Sequence, residues 1–452
     1  MRYPERHVME SDVNKSDTLP TSPPSWIDEQ VAAERARLLE EAGLPNSPPH
    51  HYQRPVERPF TRQERDHVTI LFGGFTLHHD LLIYAGLEGL GYNVDHIPMP
   101  TKTDFQTGKE YGNNGQCNPT YFTVGSLVNY LKRLRDEEGI PIERIISDYV
   151  FVTGGACGAC RFGTYEAEYR LALRNAGFDG FRVLLFEQNG ELSQSGIEAG
   201  LEINLHFFLI LFNSIFIGDL LNAVAAHIRP YETIPGKTSQ VLEKCLAICQ
   251  QVLRTNDYDT VKSSVLAKLL SKVVLVSHDD AAMILGQLGG THFIHALATC
   301  RQIIDDEIEV DYTRPKPIVK ITGEFWAQTT EGDGNFNMFA FLEGEGAELL
   351  VEPITTFVDY TLNFFRTYNC DRRGLKEGTA PPTFWNLGKR FRLEADYHKK
   401  MFIFALAKKI LAREYERLRK ALGGTVHPLT DQIELEHLGH PHYNSRADGG
   451  EG

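Results

Sequence analysis

The sequence predicts an α/β protein: two doubly wound parallel-sheet domains with a helical insertion between them. Three observations carry this. Over residues 63–195, short apolar runs alternate with helical patterns across short connections, the signature of a mostly parallel sheet. Over residues 196–310 nearly everything has helical periodicity. From Lys316 a strand, a glycine-rich loop, a helix and a second strand follow one another again, opening a second α/β domain over 311–436. Residues 1–62 read as a disordered N-terminus, a helix and a linker, and 437–452 as a flexible tail.

Each element has a local reason. Residues 25–43, "SWIDEQVAAERARLLEEAG", carry acids early and a glycine at the end, which predicts a solvent-facing helix. The Pro- and His-rich stretch 45–60 is a linker. "HVTILFGG" (67–74) is a buried strand ending in a glycine turn, "LHHDLLIYAGLEGLG" (77–91) a helix and "NVDHIPMP" (93–100) a second strand. A long loop leads to the helix "CNPTYFTVGSLVNYLKRLRDEEG" (117–139), with Pro119 suited to a first turn. The strand "ISDYVFVTGG" (146–155), the helix "RFGTYEAEYRLALRNAGF" (161–178) and the strand "FRVLLFEQ" (181–188) complete this unit. The greasiest run, "HFFLILFNSIFIG" (206–218), is shorter than a bilayer span and is broken by Asn213 and Ser214, so it predicts a buried helix. "SQVLEKCLAICQQVL" (239–253) and "AKLLSKVVLV" (267–276) are further helical patterns. In the last region "KPIVKITGEFW" and "AELLVEP" read as strands flanking the helix "NFNMFAFLEGEG". Residues 398–424 form an amphipathic helix stopped by Gly423–Gly424.

Bulk composition narrows the function. With 46 Lys and Arg against 60 Asp and Glu, a formal net charge of −14 argues against a nucleic-acid surface, which needs clustered cations. No basic segment followed by an apolar one opens the chain, so no signal peptide is expected. The seven cysteines are then expected in a reducing cytoplasm, as metal ligands, catalytic thiols or core fillers.

Cys157 and Cys160 lie on the turn from a buried strand into a helix, where backbone N–H groups and the helix dipole favour thiolate. The pair admits four readings. It could be a dithiol redox couple, half of a zinc site completed by His437, His440 and His442, part of an iron–sulfur site, or two thiols packed at a turn. Cys117 follows a glycine- and asparagine-rich turn, opens a helix and reaches the same rim. Three converging thiols without disulfide context suit an iron–sulfur cluster. Cys245, Cys249 and Cys300 share apolar helix stripes and read as core, while Cys370, in "RTYNCDRRG", reads as a loop residue and spare ligand. "GKTS" at 236–239 resembles the end of a P-loop, but Tyr231 stands where the first glycine belongs and no strand precedes it, so ATP hydrolysis by this chain is not expected. In 321–353, Glu324, Gln328, Asp333 and Asn335 either line an anion pocket at a helix opened by Asn335 or cap a surface turn.

"GQCNPTYFTVGSLVNYL", "GGACGACRFGTYEAEYRLAL" and "GEFWAQTTEGDGNFNMFAFLEGEGAE", in this order, resemble the C-terminal region of large CoA-substrate-specific enzyme activases. That region is itself similar to 2-hydroxyacyl-CoA dehydratase subunits and double-cubane-cluster proteins. The resemblance runs from about Phe60 to the end. It implies two α/β domains with helical additions and an iron–sulfur cluster, [4Fe-4S] or double-cubane, held between them. Cys117, Cys157 and Cys160 match the family's cluster cysteines, and Arg161 and Tyr165 match neighbours without an assigned role. In the dehydratases one low-potential electron from an ATP-hydrolysing activase makes a ketyl radical from a 2-hydroxyacyl-CoA thioester, which permits loss of the hydroxyl group. This chain lacks the preceding ATPase domains, lacks the second-domain cysteine in "LLVEPITTFVDY", and stops at Gly452 where the large activases continue into a further cysteine-bearing segment. The resemblance therefore leaves the last ligand to Cys370, to no residue, or to a separate polypeptide.

The expectation is a cytoplasmic, anaerobic-type iron–sulfur subunit of a dehydratase or reductase system, a lyase component without its own ATPase. Its partners would be an ATP-dependent activase, a CoA thioester and a second cluster-bearing subunit or second copy. The alternatives are a non-catalytic electron-relay or scaffold module, with residues 25–43 and the linker as docking elements, and a metal-free CxxC dithiol oxidoreductase.

Overall fold

The computed structural model describes residues 25–43, 58–155, 161–186, 200–255, 277–323, 325–375 and 385–439, with 267–268, 271, 382 and 441–442. Cys157, Cys160, Glu324, most of the linker and most of the tail lie outside these. The chain divides into two compact units, Met1–Val56 and Glu57–Gly452. The first contains α1 (Ser25–Glu41), where Arg37 reaches Glu34 and Glu41 on the exposed helix surface.

The second unit is mixed α/β and mostly helical. It opens with β1 (Thr69–Phe72), α2 (Leu77–Gly89), β2 (Asn93–His96), α3 (Lys102–Tyr111), α4 (Asn118–Asp136), α5 (Ile142–Asp148), β3 (Tyr149–Gly154), α6 (Tyr165–Asn175) and β4 (Arg182–Phe186). The strands form one parallel sheet in the order β2-β1-β3-β4, with Ile70 opposite both Val94 and Val150 and Phe151 opposite Val183. Alternation along each strand sends side chains to two cores. Ile70, Phe72, Val150 and Leu184 meet Ile83 and Leu87 of α2 on one face. Leu71, Phe151 and Val183 meet Leu127 and Leu131 of α4 and Tyr169 and Leu173 of α6 on the other. Helices therefore cover both faces, and strand order reverses between β1 and β3, where ligands of open α/β sheets bind.

Helix α3 falls where the sequence reads as loop. Thr101 and Asp104 make a reciprocal capping box at its start, yet Gly108 interrupts its pattern. That glycine has a packing reason. A β-carbon on Gly108 would overlap the Tyr121 carbonyl, and one on Gly125 would overlap the Asp104 carbonyl, so α3 and α4 cross in backbone contact. Ile146–Asp148, expected as the start of a strand, instead finish α5, and β3 begins at Tyr149.

Helix α7 (Leu205–Ile228) contains the greasy run. The stretch Leu205–Tyr231 has the length and hydropathy of a membrane span, but 61% of its most apolar window is buried in the protein, as in a core helix. It packs with α8 (Lys237–Thr255), α9 (His278–Gly289) and α10 (His292–Glu307). There follow β5 (Ile318–Ile321), α11 (Phe325–Thr329), α12 (Met338–Gly344), β6 (Glu348–Val351), α13 (Ile354–Asp371), α14 (Leu387–Ala421) and α15 (Gln432–Gly439). β5 and β6 pair in parallel as a separate two-stranded sheet. Among the described residues the second sheet has these two strands alone, fewer than a doubly wound domain needs. From Pro353 onward the described elements are helices, so nothing there extends the sheet.

Replacing Gly108 with Ala should destabilise the fold by about 3 kcal/mol, the upper end of the usual overpacking cost, because backbone blocks the added methyl. Gly289→Ala, at a helical position with open space around it, should cost nothing or gain up to about 1 kcal/mol. Denaturant unfolding of both variants checks this, and equal stability of the two would contradict the backbone crossing.

Candidate functional site

Cys117 is the N-cap of the 19-residue helix α4, at the carboxyl rim of the four-stranded sheet. The helix dipole favours negative charge there. Its sulfur lies 3.1 Å from the Thr120 hydroxyl and 3.3 Å from the Tyr165 hydroxyl. The preceding loop turns at Gly115, whose φ of +80° suits glycine. Buried Glu168 holds that loop from α6, accepting from the Asn113 backbone N–H, Asn113 Nδ2 and Gln116 Nε2 at 2.8–3.1 Å. Tyr121 adds a further tie: its hydroxyl accepts from the Gln116 N–H and donates to the Asn113 carbonyl, both at 3.0 Å. Cys157 and Cys160 lie outside the described residues. The described chain on either side of them is fixed, Gly154 ending β3 and Tyr165, five positions after Cys160, standing against Cys117.

The loop after β5 seats itself on this rim. Trp326 stacks on Phe122 of α4 with ring centres 6.4 Å apart, and Asp333 accepts from the Lys102 N–H at the start of α3 at 2.9 Å. That backbone hydrogen bond, with one from Asn337, holds the Asp333 carboxyl below its usual range. Asn335 does not open a helix: α12 begins at Met338, and Asn335 is buried, its Nδ2 donating to the Thr330 carbonyl. Gln328 Nε2 donates to the Gly323 carbonyl at 2.6 Å. Gln328 on α11 and Asp333 and Asn335 in the turn after it thus bond within the β5–α12 connection or to α3, while Glu324 lies outside the described residues.

Cys370 is helical rather than in a loop, because no breaker precedes Gly374 at φ +80°. Its sulfur is 3.6 Å from the Tyr397 hydroxyl and 3.8 Å from Met401 Sδ, so it faces α14. Cys245, Cys249 and Cys300 are fully buried in the helical core, as their apolar stripes predict. The hydrogen bond to Cys300 and then burial push the Cys245 thiol far up, which keeps it neutral and inert. In "GKTS" the backbone N–H groups of Gly236 and Thr238 are taken by Glu232 at 2.5 and 2.7 Å, so the start of α8 is capped by the chain's own carboxylate.

A second polar cluster escapes the sequence reading. Thr76, His79 and Asp80 are buried where β1 passes into α2. The Asp80 carboxylate accepts from the N–H groups of Gly74 and Phe75 at 3.2 and 3.3 Å. His79 Nδ1 is 2.7 Å from the Thr76 hydroxyl, and its Nε2 is 3.2 Å from Asp219 Oδ1 on α7. Asn222 Nδ2 donates to Thr76, while Asn222 Oδ1 is 2.6 Å from His78 Nδ1. Gly218 makes room for the His79 ring, which a β-carbon there would strike. A signal existed in retrospect: two histidines and an aspartate directly after a strand and a double glycine.

No protein-family model, no curated protein and no solved structure matches this chain.

Burial pushes the Asp80 carboxyl up to about 7, against the pull of its two backbone donors. A folded-state value above the unfolded one means this group favours folding most at low pH. That contribution fades as pH rises from about 4 through about 7, by a total on the order of 4 kcal/mol. Relative to Asp80→Asn, the native chain should therefore lose unfolding free energy between pH 4.5 and pH 8. Denaturant curves at both pH values measure it, and parallel profiles for the two proteins would refute the assignment.

Proposed function

We propose that this chain is a cytoplasmic iron–sulfur subunit of a 2-hydroxyacyl-CoA dehydratase or activase-type system, with Cys117, Cys157 and Cys160 as cluster ligands. The observation that carries the reading is the setting of Cys117. It stands at a helix N-terminus on a sheet rim, with two hydroxyls at its sulfur and the helix that follows the Cys157–Cys160 segment packed against it. This donor set fits an anionic sulfur ligand: a metal-bound sulfur carries no proton, so both hydroxyls can donate to it. When bound, a [4Fe-4S] or double-cubane cluster would supply one-electron chemistry at low potential, fed by an ATP-hydrolysing partner.

The chain's own residues do the holding. Glu168 and Tyr121 fix the loop that presents Cys117. The loop of Trp326 and Asp333 covers the neighbouring part of α3 and α4, and in this reading β5, β6 and their helices are the reduced counterpart of a second doubly wound domain. The engagement of Gln328 with the Gly323 carbonyl and of Asp333 with the Lys102 N–H favours a second reading, in which the chain relays an electron to a partner subunit or second copy and binds no CoA thioester itself.

Anaerobic reconstitution should yield protein containing iron and acid-labile sulfide, with an electron paramagnetic resonance signal after reduction. Cys117→Ala should lose most of the iron while keeping its far-ultraviolet circular dichroism. A wild-type chain that stays metal-free sinks the cluster reading. With cluster bound, turnover of a panel of 2-hydroxyacyl-CoA thioesters in the presence of an activase marks the enzyme, and its absence marks the relay.

A further inference from the structure

Tyr165 is the first residue of α6, and its ring is buried among the residues that pack α4 and α6 onto the sheet. Its hydroxyl reaches across 48 sequence positions to lie 3.3 Å from Cys117 Sγ. One turn further along the same helix, Glu168 clamps the Asn113–Gln116 loop. Helix α6 therefore acts on Cys117 twice, positioning the loop with one side chain and touching the sulfur with the other.

We infer that Tyr165 is a positioning residue whose hydroxyl donates a hydrogen bond to the Cys117 sulfur and thereby sets the potential of the centre that this sulfur ligates. The inference rests on the cluster reading. Its physics is direct: reduction adds electron density to the sulfur ligands, so a hydrogen bond there is stronger in the reduced state and raises the potential. Thr120, 3.1 Å from the same sulfur on α4, acts as the second donor. The Tyr165→Phe variant removes one oxygen and leaves the buried ring in place. It isolates the hydrogen bond from the packing.

The test uses full-length wild type, Tyr165→Phe and Thr120→Val. After anaerobic reconstitution, the midpoint potential is read by redox titration with paramagnetic resonance detection. Removing a charge-assisted hydrogen bond should shift the one-electron equilibrium of Tyr165→Phe roughly tenfold toward the oxidised form, about 59 mV lower. The Raman S–H band of the metal-free proteins, taken as a difference against Cys117→Ala, reports the contact without any cluster. It should move in Tyr165→Phe. A loaded variant with the wild-type potential, or an unmoved S–H band, overturns the inference. A wild type that takes up no cluster overturns the cluster reading and Tyr165's redox role together, whereas the S–H band still decides whether the hydroxyl touches the sulfur.

Discussion

Asp219 sits 4% exposed in the middle of the most apolar helix, and three donors converge on it: the N–H groups of Ile354 and Thr355 at 2.8 Å and the Thr355 hydroxyl at 2.6 Å. The His79 ring faces it from α2. A helix that is apolar on every side has no preferred rotation about its axis, because any face is equally content in a core. Polar residues supply the rotation. Asp219 points α7 at the N-terminus of α13, Asn222 points it at Thr76 and His78, and Asn213 exchanges two hydrogen bonds with Gln287 of α9. Leaving one of the amides buried and unpaired costs about 1–3 kcal/mol, and leaving the carboxylate so costs more. The positions of α2 and α13 against α7 follow from that constraint. So does the relation between the carboxyl rim of the four-stranded sheet and the β5–β6 pair.

What was legible in the sequence and what was not divides along the range of the interactions. β1 to β4, α2, α4 and α6 are announced locally, by runs such as "TILFGG" and by glycine stops, and the structure has each of them, with the first three residues of the β3 run given over to α5. Cys117 as the opening of a helix was equally local. Helix α3 was hidden because Gly108 looks like a breaker until its neighbour is known. The Tyr165 hydroxyl and the His79–Asp219 pair were hidden because nothing local tells a buried hydrogen-bonded side chain from an exposed one. The difference between the expected second sheet and the two strands among the described residues has another cause. "PIVKI" and "AELLV" are sound strand signals, but after Pro353 the pattern is helical almost to the tail. Two strands followed by long helices read as the start of a sheet that the described residues do not continue.

The connection between β5 and α12 carries the clearest backbone strain among the described residues. Phe336 and Asn337 are consecutive, neither is glycine, and both have positive φ, at 59° and 56°. Such residues cost about 1–2 kcal/mol each and persist only where surroundings over-determine them. The surroundings here are specific. The Asn337 N–H donates to the Gly332 carbonyl at 2.7 Å, Asn337 Nδ2 donates to Asp333, and Asp333 in turn holds the first turn of α3. Trp326 donates to the Gly334 carbonyl while stacking on Phe122. These contacts tie the connection to itself, and Asp333 and Trp326 hold it against α3 and α4, the pair whose backbones touch and whose junction presents Cys117. A loop strained and tied in this way is suited to fixing the edge of a rim. Rearranging around a substrate would first require breaking the bonds that compensate its own backbone.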